Sequence, residues 1–379
     1  MKINNKAKFL YTILLLTISC QPPVIRNFNP DQPKAILTAD QSYSRNGFQD
    51  FEIHDSLKIV ETESLGGLPY FSFLQYSGEL IYTTHNGRLY FTNLSDFDDT
   101  RKTQMGAGIG TAPTISGSML YIAVNRGKNG LVAYDMLAGK EKWQLKGELS
   151  QSSPIVTNKL VIHASTLGAI TAYDTESGER KWRAEIDDRI LNNLAFSNNN
   201  VIVLTQNGTL RSYNPDSGSL NWSVKLDDAF YASPVIDSTS IFIAGYKGKI
   251  TKIDLLQGTI LNSVQIKTPV YQTPAMDNNY LYVGCGNGQL KAFAIHTMTE
   301  RWSQQLDGPV TAAPLASASE IILGTASGKL YRVSKTDGQV IQTIVLDGRP
   351  RSQPVYNNQK IYIAYEPDYL AVLSDRGSK

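Results

Sequence analysis

The chain has 379 residues, of which 18% are charged, and a formal net charge of +2 at pH 7. This near balance excludes a protein whose main partner is nucleic acid or an anionic surface, because neither would meet a strong positive field. The length fits two ordinary domains or one large β architecture, and the 20 tyrosines together with frequent turn-forming residues favour an all-β protein.

Residues 1–19 have the features of an export signal. Three lysines precede an apolar run, Phe9 to Ile18, that is too short to span a bilayer as a helix. The run ends at Ser19-Cys20, which resembles a bacterial lipobox, with Thr17 where leucine is usual. The resemblance implies that Cys20 is acylated, and Gln21 after it implies sorting to the outer membrane. The alternative is an ordinary signal peptide that contains a cysteine.

Residues 20–55 follow the signal and contain four prolines and many polar residues without sustained alternation. This composition predicts a lipidated, flexible tether between the membrane and a folded domain over residues 56–379. Cys285 is the only other cysteine, so acylation of Cys20 leaves no partner for an internal disulfide. We expect Cys285 to be a buried, small apolar residue.

A short hairpin pattern recurs along the folded domain. The run Ala172 to Trp182, AYDTESGERKW, ends one strand, turns through a glycine and opens another strand. Related runs end at the other three tryptophans of the chain, so all four tryptophans occupy one position of a repeat: Trp143, Trp182, Trp222 and Trp302. The chain is therefore a repeat array, and we expect these rings to fill the gap between neighbouring units.

Prolines mark the same period. One proline precedes the first strand of most units, and the last four are 40 residues apart: Pro234, Pro274, Pro314 and Pro354. Each unit of about 40 residues has room for four short strands, which predicts an all-β, eight-bladed β-propeller with four-stranded antiparallel blades. The last unit has room for only three strands. The segment Ile59 to Gly67 aligns with the fourth strand of unit seven, so we expect this N-terminal strand to close the last blade.

The Ala-Tyr-Asp, turn, Gly, Lys, Trp pattern resembles the PQQ-type repeat, and the resemblance covers roughly residues 56–375. With the lipobox, eight blades and this length, the chain resembles the BamB family of outer-membrane assembly lipoproteins. That resemblance implies a non-enzymatic scaffold, anchored on the periplasmic side of the outer membrane, without a cofactor. Its implied partners are the β-barrel assembly protein of the complex and unfolded outer-membrane proteins.

Two other function classes remain open. A PQQ-dependent quinoprotein dehydrogenase would resemble longer enzymes with a vicinal cysteine pair and a calcium ion, whereas this chain has no adjacent cysteines and four scattered histidines. Its glycine-rich runs at 106–110 and 284–288 fall at blade turns without a following helix. A cell-envelope sensor or ligand-binding propeller is compatible with every motif. We predict no catalytic, cofactor-binding or metal-ligating residue.

The loops that join successive blades vary more than the Asp–Gly hairpins, so we expect recognition on the face that carries them. Two of these loops combine charge with large apolar side chains, which is the composition of a small interaction hot spot. Their position also resembles the docking region of BamB proteins. The predicted partner-binding residues are Arg189, Ile190, Asp227, Asp228 and Phe230. The alternative is that these loops are solvated and their aspartates only terminate strands.

Overall fold

The computed structural model describes residues 24, 25, 28, 38–69 and 71–375. The predicted signal at 1–19 and the predicted lipidation site Cys20 lie outside the described residues. The described part of the chain forms 32 strands and one short 3-10 helix, Ala39–Gln41. Within it, no helix has both the length and the apolarity needed to cross a membrane.

The strands form eight antiparallel sheets of four, which are the blades of a propeller. In seven of the eight blades the strands follow sequence order from the axis outward, and the eighth blade adds a strand from the N-terminal part of the chain as its fourth. The first four blades consist of β2 (Leu74–Tyr76), β3 (Glu79–Thr83), β4 (Arg88–Asn93) and β5 (Asp96–Gln104); β6 (Thr114–Ser116), β7 (Met119–Ala123), β8 (Asn129–Asp135) and β9 (Lys140–Lys146); β10 (Ile155–Thr157), β11 (Leu160–Ala164), β12 (Ala169–Asp174) and β13 (Arg180–Glu185); β14 (Ala195–Ser197), β15 (Asn200–Leu204), β16 (Thr209–Tyr213) and β17 (Leu220–Lys225).

The remaining blades keep the same arrangement. They consist of β18 (Val235–Ile236), β19 (Ser240–Ala244), β20 (Lys249–Asp254) and β21 (Ile260–Gln265); β22 (Ala275–Met276), β23 (Tyr280–Gly284), β24 (Gln289–Ala294) and β25 (Glu300–Gln305); β26 (Val310–Ala316), β27 (Glu320–Thr325), β28 (Lys329–Ser334) and β29 (Val340–Val345); β30 (Val355–Asn357), β31 (Lys360–Tyr365), β32 (Tyr369–Ser374) and β1 (Lys58–Ser64). The predicted eight-bladed, all-β propeller is confirmed.

The ring closes through the N-terminal strand. β1 runs antiparallel to β32, with Lys58 opposite Ser374 and Ser64 opposite Tyr369. The eighth blade therefore takes its outermost strand from the other end of the domain, as predicted. This pairing removes the free edge that β32 would otherwise expose at the seam.

The outer hairpins are built by turn chemistry that the sequence makes visible. Asp174 Oδ1 accepts hydrogen bonds from the backbone N–H groups of Glu176 and Ser177, and Gly178 has a φ of +72°. The amide of Gly178 donates to the carbonyl of Asp174 at 2.9 Å. An aspartate that caps its own turn and a glycine at positive φ are the residues that such a loop favours.

The four tryptophans join neighbouring blades. The indole of Trp182 donates to the carbonyl of Pro215 at 2.7 Å, in the outer hairpin of the next blade. The other three make the same bond at 2.9–3.1 Å, each to a carbonyl in the following blade. Burial of the ring stabilises the contact between two separate sheets, and the hydrogen bond fixes the orientation of the ring in that contact.

Each tryptophan ring rests on a glycine of the facing hairpin. A Cβ on Gly178, Gly218, Gly258 or Gly338 would approach the facing ring to 2.4–2.9 Å, which leaves no room for a side chain. The sixth blade carries Met298 at this position, with a φ of +59°. The blade that faces it has Asn262 in place of tryptophan, and Asn262 Nδ2 reaches the carbonyl of Thr297 at 3.0 Å. In this pair of blades, glycine is thus replaced by Met298 and the facing tryptophan is replaced by Asn262.

The predicted tether over residues 20–55 is wrong for its second half. Residues 38–55 pack against the propeller, where Ala39, Arg45 and Phe51 are buried. Arg45 Nε donates to the carbonyl of Leu194 at 2.7 Å, and Nη1 donates to the carbonyl of Ala39 at 2.7 Å. Composition suggested a tether because this segment has no strand pattern. Its polar groups bond instead to blade edges that exist only in the folded ring.

The innermost strands of blades three to eight all hydrogen-bond to this segment. One backbone N–H from each strand donates to an oxygen of residues 43–49, at 2.7–3.1 Å. The six donors are 40 residues apart, one per blade: Val156, Phe196, Ile236, Met276, Ala316 and Tyr356. We call residues 38–49 the axial segment, because they satisfy edges that converge on the propeller axis.

The tryptophan contact can be tested in the third blade. Trp182→Ala should lower the free energy of unfolding by about 3–5 kcal/mol, because it empties a buried space between two sheets. Trp182→Phe should cost about 1–3 kcal/mol, because the carbonyl of Pro215 loses its donor while most of the ring remains. Urea denaturation followed by circular dichroism measures both values. A Trp182→Ala protein within about 1 kcal/mol of wild type would contradict this role.

The relation between tryptophan and glycine can be tested where both are missing. Asn262→Trp alone should destabilise the protein, because the new ring would meet the side chain of Met298. Combining it with Met298→Gly should relieve that collision, so we expect the two changes to be non-additive by about 1–3 kcal/mol in the favourable direction. A double-mutant cycle on the free energy of unfolding gives this coupling. Additive effects would show that the two positions are independent.

Candidate functional site

The loops between blades and the turns between second and third strands lie on one face, which we call the interblade face. Its loops are held rigidly to the next blade. The amide of Gln206 donates to the carbonyl of Arg189, and the amide of Tyr246 donates to the carbonyl of Ala229, both at 2.8 Å. The same bond recurs at most junctions, so this face presents its side chains from a fixed backbone.

Two of the predicted partner-binding residues do not reach the surface. Ile190 is 0% exposed and Phe230 is 2% exposed, and each packs among the core side chains between blades. The prediction of a partner contact is therefore wrong for these two residues. Their apolar side chains fill the space beneath the loop. The sequence of the loop alone does not show whether such a side chain is buried in this way or exposed to a partner.

Asp228 has a structural role. It is 7% exposed, and its Oδ1 accepts hydrogen bonds from the backbone amides of Ala229 and Lys247 at 2.7 and 2.8 Å. Asp188, 40 residues earlier, holds the turn of its following blade in the same way, through Thr205 and Asn207. The carboxylate of Asp228 thus holds a loop to the next blade. The prediction that Asp228 binds a partner is therefore wrong.

Arg189 and Asp227 are the predicted residues that do lie on the surface. Both side chains are exposed, in adjacent interblade loops. Asp227 forms an exposed ion pair with Lys247 at 3.2 Å. Such a pair contributes little stability because water screens it, so both charges remain available to a partner.

Sequence reasoning missed a cluster of exposed tyrosines beside these charges. Tyr231, Tyr246 and Tyr271 are 43–44% exposed, and their rings contact one another at centroid distances of 5.8–6.0 Å. Tyr231 and Tyr271 are 40 residues apart and occupy the same repeat position. This repetition in the sequence could have indicated that the two tyrosines lie close together. We call these three residues the tyrosine cluster.

A groove lies at the junction of the second and third blades. Its volume is about 900 Å³, and its lining includes Glu148, Arg183 and Leu167. Leu167 is 86% exposed, and the Glu148 carboxylate pairs with Arg183 and accepts a hydrogen bond from Tyr173 at 2.9 Å. Beneath it, His163 Nε2 bonds the carbonyl of Glu148 at 2.8 Å, while burial lowers the pKa of His163 to about 4.

The axis of the propeller holds a much smaller space. This cavity has a volume of about 100 Å³ and is lined mainly by polar side chains, with Asp40 of the axial segment among them. Burial raises the pKa of Asp40, against the opposing charge of Arg45. Sites for drug-sized ligands and cofactors usually measure 300–1,000 Å³, so the residues at this axis do not fit a large cofactor.

Cys285 is a free, buried cysteine, as expected, and burial raises the pKa of its thiol to about 12. A thiol that stays protonated is a poor nucleophile and a poor metal ligand. In the described residues, no group of three or more histidine, cysteine, aspartate or glutamate side chains is arranged to hold a metal ion.

Known proteins resemble the chain in sequence and in fold. The sequence profile of a family described as outer membrane protein assembly factor BamB matches residues 65–200, 168–268 and 246–377. No curated protein matches the chain in sequence. Among solved structures, BamB from Moraxella catarrhalis is similar with a TM-score of 0.71 and 18% identity, over 84% of this chain and 98% of that one.

The same fold serves unrelated purposes in other solved structures. Quinohemoprotein alcohol dehydrogenase from Comamonas testosteroni is similar with a TM-score of 0.78 and 14% identity, over 93% of this chain and 82% of that one. The computationally designed protein Ika8 is similar with a TM-score of 0.72 and 16% identity, over 82% and 98%. Likeness at these identities shows the architecture and leaves the activity open.

The buried histidine beneath the groove predicts a pH effect on stability. The unfolded chain binds a proton on His163 with a pKa near 6.5, whereas the folded pKa is about 4, so the unfolded state binds more protons between these values. Stability should therefore fall as pH drops from 7 to 5, by about 2 kcal/mol from this residue.

His163→Gln keeps a donor for the carbonyl of Glu148 and removes the titration. Urea denaturation at pH 7 and pH 5 should show a smaller pH dependence in this variant than in wild type. Identical pH dependence in the two proteins would contradict the assignment to His163.

Proposed function

The chain belongs to the family of outer membrane protein assembly factor BamB, and on this premise we propose that it is a non-enzymatic scaffold of the outer-membrane β-barrel protein assembly machinery. The observation that carries this proposal is the family match, which extends over residues 65–377 and so includes strands of all eight blades. A scaffold requires a rigid body with a distinctive surface, and the interblade face has both properties.

We place the partner contact on the interblade face at the third to fifth blades. Arg189 and Asp227 supply charge there, and the tyrosine cluster supplies rigid apolar area with hydroxyl groups at its edge. Tyrosine and arginine are the residue types most often responsible for binding energy at protein interfaces. The partner in this proposal is the β-barrel assembly protein of the complex, and unfolded outer-membrane proteins are a second class of client.

The proposal also includes the location of the protein. Acylation of Cys20 would hold the propeller at the outer membrane, on its periplasmic side. Several acyl chains on one cysteine bind a bilayer stably, whereas a single chain binds it only marginally.

A ligand-binding or sensor role has one specific observation in its favour. The groove beside Glu148 and Leu167 has the volume of a small-molecule site and an exposed leucine at its edge. A quinoprotein dehydrogenase has less support, because the axial segment leaves a cavity of about 100 Å³ where the blades converge.

The docking surface can be tested with surface substitutions that leave the core intact. A triple variant, Arg189→Glu with Tyr231→Ala and Tyr271→Ala, should reduce co-purification of the β-barrel assembly protein from detergent-solubilised membranes by at least about tenfold. Loss of one interface anchor of this type often costs about 2 kcal/mol or more, so two aromatic changes are sufficient for such a loss.

Tyr369→Ala provides the matched control. Tyr369 is also exposed but belongs to the eighth blade, across the ring from the tyrosine cluster. We expect this variant to recover the partner at the wild-type yield. A folded triple variant that still recovers the partner fully would show that docking uses another surface.

A further inference from the structure

The chain meets the propeller at one definite point of its rim. Ile25 is buried in a core cluster that extends over the eighth, first and second blades, and its amide donates to the carbonyl of Met136 at 2.9 Å. The carbonyl of Val24 accepts a hydrogen bond from Arg101, on the outermost strand of the first blade. Residues 24 and 25 therefore lie at the outer edge of the ring, beside the outer hairpin of the second blade.

Ile25 takes a place that tryptophan occupies elsewhere. Met136 directly follows the aspartate of its hairpin, Asp135, and the equivalent carbonyls of later blades accept indole N–H groups from the preceding blade. The first blade has no tryptophan, and Ile25 supplies the donor instead. We call the face opposite the interblade face, which carries the outer hairpins, the hairpin face. The contact of Ile25 and the axial segment fix the N-terminal part of the chain to this face, at the rim and at the axis.

The distance from this rim to an anchor at Cys20 is short. Only Gln21, Pro22 and Pro23 separate Cys20 from Val24. Four residue steps span at most about 14 Å, since an extended chain advances 3.3–3.6 Å per residue. A compact domain of this size has a radius of gyration of about 20 Å, so such a link cannot let the domain turn freely at the membrane.

We propose that the outer hairpin of the second blade lies against the lipid surface, so that the ring meets the membrane at this side of its rim and the fifth blade is held away from it. This inference rests on the proposed lipid anchor at Cys20. The hairpin offers an exposed leucine, Leu137, and an exposed cation, Lys140, next to one exposed carboxylate, Glu141. Asp96 and Asp98 on the first blade are exposed carboxylates, so the contact with anionic lipid is on the side of the second blade.

The orientation has a matched pair of probe positions. Leu137 and Leu256 are exposed at equivalent hairpin positions of the second and fifth blades, three blades apart on a ring of eight. Leu137→Cys or Leu256→Cys, each with Cys285→Ala, would carry a donor dye. The acylated proteins would be reconstituted into phosphatidylethanolamine–phosphatidylglycerol vesicles that contain an acceptor dye on a lipid headgroup.

Energy transfer from position 137 should be at least about twice that from position 256, because only the first probe lies near the anchor. Insertion of 30 glycine and serine residues after Pro23 should bring the two values together while the protein remains on the vesicles. Equal transfer from the two positions in acylated protein of native length would overturn the orientation alone.

Mass spectrometry and vesicle flotation distinguish that result from a failure of the anchor. Cys20→Ala should remove the acyl mass and release the protein from the vesicles. Wild-type protein without acyl chains on Cys20 would overturn the anchor, and the orientation with it. Neither result depends on recovery of the assembly partner, which tests the scaffold proposal separately.

Discussion

The propeller depends on contacts between sheets that share no strand. Each of the eight blades satisfies its own backbone in a separate four-stranded ladder, so the ring is held by interactions at three radii. Tryptophan rings on facing glycines join the outer hairpins, and backbone hydrogen bonds from loop to turn join the interblade face. The axial segment joins the inner edges. In the fifth and seventh blades, where tryptophan is absent, an amide side chain makes the contact: Asn262 bonds the carbonyl of Thr297, and Gln342 bonds the backbone of Leu57 in both directions.

The axial segment solves a problem that a ring of blades creates at its centre. Innermost strands have an unpaired edge, and eight such edges converge where little room remains for water or for another strand. An irregular segment can meet these edges because it does not need a strand register of its own. Residues 43–49 satisfy one donor from each of six blades, and Thr38 reaches Thr114 of a seventh at 3.1 Å. The consequence is a nearly filled axis and a fixed start for the chain.

Because of these contacts, the two faces of the propeller have different roles. The hairpin face receives the N-terminal part of the chain, and its outer turns are regular because each must fit a neighbouring ring. The interblade face is free of that requirement, so its exposed positions can vary from blade to blade while Asp188 and Asp228 hold the loops in place. A surface with a rigid backbone and unconstrained side chains is suited to recognition, and the tyrosine cluster lies on it.

The sequence by itself determined the eight blades, the strand that closes the ring and the docking role of the tryptophans. Those features depend on local turn chemistry and on a period of 40 residues, and both can be recognised in a single sequence. Only the tertiary structure decided which loop residues are exposed. Ile190 and Phe230 lie in loops but are buried, because the space they fill is formed by two blades that are not continuous in sequence. The packing of residues 38–55 was hidden for the same reason: their partners are six strand edges that come together only when the ring is closed.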